Sequence, residues 1–368
     1  MTPEAIPFID LRPGEDVAAV RAAIERVIAS GWFVLGPEVE AFEAEFADAS
    51  GVAHAIGVGN GTDAIALLLR AIGINDGDEV IVPALTAGYT VLAVLLARAT
   101  PVFADVDPET LTIDPASCEA AITRRTVAIV PVHLYGQPAD LPALRAIAER
   151  HSLAMVEDCC QAHLATYAGT PVGTRSAGGA FSFYPTKNLG ALGDGGAVIT
   201  NDASIAARIR RLRHGGQINR YVHDEAGVNS RLDDLQAAVL RARLQMLPRW
   251  TARRRAVAAT YRRLLTGSVH PLPHADEGHV YHLFVVRSNE RDALQAHLSA
   301  SRIETLIHYP IPLTHQPAFE RWRRNDCPVA SHATREILSL PLHQRLTDTD
   351  VERICLGIDA FDKGHILA

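Results

Sequence analysis

The sequence predicts an α/β protein: a mainly parallel, seven-stranded sheet with helices on both faces, followed by a smaller α+β domain at the C-terminal end. Three observations carry that expectation. Short β-branched runs alternate with helical patterns from Ala55 to Thr200, as βαβ units do. The chain has 368 residues, more than the ~250–300 at which one core stops growing, so two domains are expected. Near Leu247-Pro248 the alternation gives way to helices, strands and proline-rich turns in mixed order. The boundary is placed there, with 1–247 forming an N-terminal segment and the large domain and 248–368 the small one.

An extended start, Ile6 to Asp10, precedes a helix with Val17, Val20, Ala23, Ile24 and Ile28 on one face, ended by Gly31. A second helix follows Pro37 and carries Val39, Phe42 and Phe46. The seven strands are Ala55–Val58, Glu79–Val82, Pro101–Ala104, Val127–Val132, Leu153–Val156, Ala180–Tyr184 and Ala197–Thr200, with helices at Asp63–Ala71, Thr90–Arg98 and Leu141–Arg150 between them. Beyond these come helices over Leu232–Met246 and Arg253–Leu265, a strand over Tyr281–Val286, a helix over Arg291–Ser299 and a strand over Ile303–His308. Two further helices are expected at 330–338 and 349–361.

Composition excludes several classes. The formal charge is -7, which gives no reason to expect nucleic acid or an anionic membrane as partner. The local cluster Arg208–Arg213 reads as the wet side of a helix whose dry side is Ile205, Ile209 and Leu212. Five cysteines without paired spacing argue against a metal framework or secretory disulfides and fit a reducing cytoplasm. The N-terminus lacks the pattern of a signal peptide, and no apolar run approaches the ~20 residues that span a bilayer. A soluble cytoplasmic protein is the expectation.

In an open parallel sheet, ligands sit beyond the carboxyl ends of the strands. Three strand ends carry suggestive residues. Gly59-Asn60-Gly61-Thr62-Asp63 runs from a strand into a helix, where free N–H groups and a threonine hydroxyl suit a phosphate; a plain turn and N-cap is the ordinary reading. Asp158 ends a buried strand and needs a cation or strong donor; a structural ion pair is the ordinary reading. Lys187 follows the strand Ala180–Tyr184 and precedes glycines 190, 193, 195 and 196; a solvated loop lysine is the ordinary reading. Together they are more specific. Pyridoxal 5'-phosphate needs a phosphate anchor, a carboxylate for its ring nitrogen and a lysine for its aldehyde. His133 and His163 also lie near strand ends, but the sequence assigns neither a role, and the sixteen histidines show no H-E-x-x-H or similar metal spacing.

These segments resemble the DegT/StrS sugar aminotransferases, of fold type I among pyridoxal phosphate enzymes. The likeness is densest at Gly59–Ala64, Pro101–Asp107, Pro131–Gly136, Glu157-Asp158 with Gln161-Ala-His163, Phe181–Asn188, Asn229–Asp233 and Ile307–Pro310. The resemblance implies that Lys187 holds the cofactor aldehyde, Asp158 its ring nitrogen and Gln161 its ring hydroxyl. It assigns the phosphate to Gly61, Thr62 and Ser182, with Asn229 reaching in from a partner subunit, hence a homodimer with shared sites. It places His308 and Tyr309 on the substrate side, with Tyr221 and His223 in a loop that crosses to the other subunit's substrate. The family commonly has an aromatic residue after the threonine matching Thr86, to stack on the cofactor ring; this chain has Ala87. Either Tyr89 supplies the ring or stacking is reduced.

The expected function is transfer of an amino group from an amino acid, usually glutamate in this family, to a nucleotide-linked keto-deoxysugar, at C3 rather than C4. Relatives that deoxygenate sugars carry histidine where this chain has Lys187. A keto-cyclitol acceptor and a non-catalytic regulatory or binding protein on the same fold are the alternatives.

Overall fold

The computed structural model describes residues 4–274 and 276–366. Its large sheet has seven strands: β1 (His54–Val58), β2 (Glu79–Pro83), β3 (Thr100–Ala104), β4 (Thr126–Ile129), β5 (Ala154–Asp158), β6 (Gly178–Ser182) and β7 (Gly196–Thr200). They lie in the order β1-β7-β6-β5-β4-β2-β3. Six run one way; β7 pairs antiparallel with both β1 and β6. The sheet is thus mixed but mainly parallel, as expected.

Each strand sends alternate side chains to opposite faces, and both faces are buried. On one face Ile56, Val82, Val156 and Val198 pack against Leu67 and Leu68 of the helix Gly61–Ala71, Val91 of Gly88–Leu96 and Ile209 of Ala203–Leu212. On the other, Phe181 and Ile199 meet Phe42 and Phe46 of the helix Pro37–Ser50 and Leu240 of Asp234–Leu244. Ile81, Ile129 and Met155, on that same face, meet Leu144 and Ile147 of Leu141–His151. This covering explains why the strands read as continuous apolar runs.

A separate core gathers Val257, Tyr261, Phe284, Leu298, Leu338, Ile354 and Phe361 with Ile6 of the N-terminal segment. Three antiparallel strands serve it, β8 (His270–Pro271), β9 (Phe284–Arg287) and β10 (Ile337–Leu340), beside helices Leu247–Leu264, Arg291–Ala300 and Asp348–Ile366.

Several expectations need correction. No strand forms over 303–308; Ile303 makes only a bridge to Ile6, and Leu306 one to Ser339. The strand that pairs with β9 is instead β10, whose run Ile-Leu-Ser-Leu directly follows the helix Pro328–Glu336 and was absorbed into the expected helix over 330–338. In the first helix, Val17–Ser30, the buried face is Val20, Ala23 and Val27, and Ile28 is exposed. Not all arginines of the 208–213 cluster are wet: Arg213 is buried, ion-paired to Glu43 and donating to the Gly57 carbonyl at 2.7 Å. Among the described residues no helix is long and apolar enough to cross a membrane.

Candidate active site

At the carboxyl edge of the sheet lies a cleft of about 810 Å³, lined among others by Gly61, Thr62, Tyr89, Asp158, Gln161, Ser182, Lys187 and Tyr309. Eight of the twelve residues singled out in the sequence therefore converge on one space. The helix Gly61–Ala71 starts here, with Asn60 as N-cap accepting from the Asp63 N–H at 2.9 Å. Its first turn leaves unpaired N–H groups facing the cleft. Gly61 is needed sterically: a Cβ there would lie 2.7 Å from Cys160 Sγ and 2.7 Å from Ser182 Cβ. The absence of a side chain brings the helix N-terminus against Ser182. Gly196, where β7 begins, has the same reason, since its Cβ would meet the Asn60 backbone at 2.4 Å. A small anion thus finds N–H donors and the Ser182 hydroxyl in one cradle.

Asp158 is nearly fully buried and has no cation within ion-pair distance among the described residues. Its Oδ2 accepts from the Thr90 hydroxyl at 2.8 Å and its Oδ1 from the Cys160 N–H at 3.0 Å. The structural ion pair that the sequence left open is therefore not what holds it. Glu157, one residue earlier, faces the opposite side of the sheet and accepts from the Gly173 N–H at 2.6 Å. His133 Nε2 is 2.9 Å from Glu157 and its Nδ1 accepts from the Ala139 N–H at 3.1 Å, so the ring is a neutral donor to the carboxylate. His133, Glu157 and Cys159 lie within 4.8 Å of one another, but their hydrogen bonds account for the His and Glu atoms. His163 Nε2 donates to the Ser182 carbonyl, 2.8 Å away, and burial lowers its pKa to about 3.

The Gln161 amide is oriented by its surroundings. Its Oε1 accepts from the Tyr135 N–H at 2.6 Å, which fixes Nε2 as the group facing the cleft, 3.1 Å from the Tyr309 hydroxyl. Lys187 follows β6 on the loop that returns to β7, half-buried. Burial lowers its pKa from the ordinary lysine value, opposed by Cys160 and Asp158. Its amine is thus easier to deprotonate than a solvated one. Burial also raises the Cys160 thiol well above the usual value, which keeps it uncharged beside Lys187.

The other four candidates lie elsewhere. His308 is half-buried behind Tyr309, its Nδ1 2.9 Å from Ser339 Oγ, and burial lowers its pKa to about 4. Tyr221 is 81% exposed, and His223 and Asn229 are exposed on the same loop, none of them lining the cleft. Thr86, Ala87 and Tyr89 line the cleft together; Tyr89 is 66% exposed. Thr90, Cys160 and Ser230 escaped the sequence reading. Ser230 donates to Asp63 at 2.6 Å and accepts from the Gly59 N–H at 2.9 Å, so it ties the loop bearing Asn229 to the helix start. The signal for Thr90 was its place in the first turn of a helix that opens at the ligand edge of the sheet.

A lysine amine, a carboxylate held by neutral donors and an anion cradle, all at the ends of sheet strands, define an enzyme that works through a bound cofactor. The donor set fits pyridoxal 5'-phosphate: the cradle kept open at Gly61 suits its phosphate, buried Asp158 its ring nitrogen and Gln161 Nε2 its ring oxygen. Comparison with known proteins agrees. Residues 15–359 match the DegT/DnrJ/EryC1/StrS aminotransferase family, and the chain belongs to that family. It is 48% identical over 356 residues to the dTDP-3-amino-3,4,6-trideoxy-alpha-D-glucose transaminase of Streptomyces venezuelae, covering 95% of this chain and 94% of that one. It is 46% identical over 360 residues to the UDP-N-acetyl-3-dehydro-alpha-D-glucosamine 3-aminotransferase of Acidithiobacillus ferrooxidans, with 96% and 97% covered. Among solved structures, S. venezuelae DesV in complex with a ketimine intermediate superposes with a TM-score of 0.96 at 46% identity, covering 98% of this chain and 99% of that one.

Proposed function

We propose that the protein is a pyridoxal 5'-phosphate-dependent aminotransferase that moves an amino group from an amino acid, glutamate, to C3 of a nucleotide-linked keto-deoxysugar in amino-sugar biosynthesis. The observation that carries the reading is Lys187 in the same cleft as Asp158, Gln161 and the Gly61–Thr62 helix start. The preference for C3 rests on relatives from two organisms whose names place the amino group at position 3, although their sugars carry different nucleotides.

When bound, the cofactor supplies an aldehyde for amine exchange and a ring that takes up the electron pair left when a Cα proton departs. The chain's own groups do the rest. The helix start and Ser182 would hold the phosphate. Asp158, aimed by Thr90 and the Cys160 N–H, would pair with the ring nitrogen. Gln161 Nε2, facing the cleft, would donate to the ring oxygen. The Lys187 amine would carry the proton from the donor's Cα to the former aldehyde carbon across the nitrogen, and its lowered pKa suits it to that work.

We further propose a homodimer in which Asn229, Tyr221 and His223 complete the partner's cleft, as their exposure outside their own cleft supports. Trp32, Phe33 and Val34 are exposed together and are suited to burial against a second copy. A cytoplasmic setting accords with five unpaired cysteines.

Adding L-glutamate to the cofactor-loaded protein should change its visible spectrum in the absence of any sugar, and Lys187→Ala should lose both that response and turnover. A wild-type protein that gives no spectral response to glutamate would instead be a binding or regulatory protein.

A further inference from the structure

A second, smaller cavity of about 230 Å³ also reaches Lys187. It is enclosed by the N-terminal segment (Ile9 to Asp16), the Lys187 loop and the C-terminal residues Gln344 and Arg345, with Arg243 and Arg254 in its wall. Its volume is below the ~300 Å³ at which pockets for drug-sized ligands begin, so it suits a small acid and not a nucleotide sugar.

Charge in this cavity is unbalanced. Three carboxylates line it, and each is engaged: Asp10 with Arg12 and Arg345, Asp16 with Arg243, and Glu15 with Arg249. Among the described residues Arg254 has no such partner. It is 3% exposed, and its Nη1 donates to the carbonyls of Tyr281, His282 and Leu342 at 3.1, 3.3 and 2.9 Å. Among the described residues its hydrogen bonds run from Nη1 alone, and none from Nε or Nη2 is seen. A buried cation normally has a counter-charge, because desolvation of the ion is costly. Burial accordingly lowers the Arg254 pKa to about 10, with no carboxylate acting against it. The three carbonyls hold one nitrogen and leave the other edge of the guanidinium, the one matched in shape to a carboxylate, free.

We infer that Arg254 receives a carboxylate of the amino-acid donor, and that the small cavity is the donor's subsite. This rests on the aminotransferase reading and adds the group that selects an acidic donor. An ion pair formed there occurs only while donor is bound, which ties the arginine's counter-charge to the first half of the reaction.

The probe is glutarate, which has both carboxylates of glutamate and no amine. It should bind the cofactor-free protein in calorimetry and compete with L-glutamate in the spectral half-reaction of the loaded enzyme. Arg254→Lys should weaken glutarate and glutamate at least tenfold while dTDP and UDP bind within twofold of wild type. Because Arg254 also joins three backbone carbonyls, Gln344→Glu offers a second route: a new carboxylate in the same cavity should weaken glutarate about as much and leave those bonds intact. Glutarate that fails to bind wild type, or binds a folded Arg254→Lys and Gln344→Glu as tightly as wild type, overturns the inference. Absence of any glutamate half-reaction in wild type would instead count against the aminotransferase reading itself.

Discussion

Thr90 shows what one hydroxyl contributes to this site. It donates to Asp158 Oδ2 where the carboxylate is shielded from water. Hydrogen bonds to charged groups are worth ~1.5–3 kcal/mol, so the bond governs how firmly the carboxylate is aimed. Thr90→Val keeps the shape and removes the donor; the glutamate half-reaction should slow by about tenfold or more, and Thr90→Ser should recover most of it. Equal rates in Thr90→Val and wild type would show that the Cys160 N–H suffices. Lys187, Asp158 and Gln161 were legible in the sequence because they end strands and fall within long motifs. Thr90 was not, since its partner is 68 residues away and nothing in local periodicity marks the pairing.

At the scale of the element, the helix Gly61–Ala71 ties cofactor binding to packing. Gly61→Ala would drive a methyl into Cys160 and Ser182, both already in contact distance. The expected result is a cofactor dissociation constant raised at least tenfold, with the melting temperature of the cofactor-free protein changed far less; fluorescence titration and thermal unfolding read the two separately. Elsewhere, Glu79 at the head of β2 is buried and accepts from Arg324, Thr123 and Arg125. Its hydrogen bond from Arg324 leads the causes that hold its pKa down, to about 2. A depressed carboxylate stabilises the fold above its unfolded value of ~4.3, and that contribution is lost as pH falls from there toward 2. Glu79→Gln should cost about 1–2 kcal/mol at neutral pH, a modest figure because both arginines are partly open to water, and the difference from wild type should shrink as pH falls from ~4.3 and be lost as it passes below about 2. The elements themselves were read unevenly. The seven strands stood out because two-sided burial makes them continuous apolar runs, whereas β10 was lost: its four residues abut a helix with no glycine or proline between.

For the molecule as a whole, the sequence's arrangement of a wrapped sheet survives, and most of the cleft assembles within one chain. Tyr221, His223 and Asn229 do not line it, and all three are exposed. No pattern in a single chain states where a loop goes in an assembly. The proposed shared sites make a direct prediction. Lys187→Ala and Asn229→Ala proteins, each inactive or impaired alone, should regain activity when unfolded together and reassembled, because a mixed dimer contains one site with neither defect. Failure to complement, with mixed dimers confirmed by mass spectrometry, would place Asn229 outside the neighbouring site.

The reversed strand β7 bears on how the nucleophile is carried. Because β7 runs against β6 and pairs with it, the two form a hairpin, and Lys187 rides in its connecting loop, residues 183–195. Both feet of that loop stand on the same rim of the sheet. Had β7 been parallel, the chain would have needed to cross the whole sheet before re-entering. The lysine instead hangs from a short bridge fastened at each end, so its reach is set by a fixed length of chain; lengthening the span by even one residue would loosen its aim without touching a single contact in the cleft.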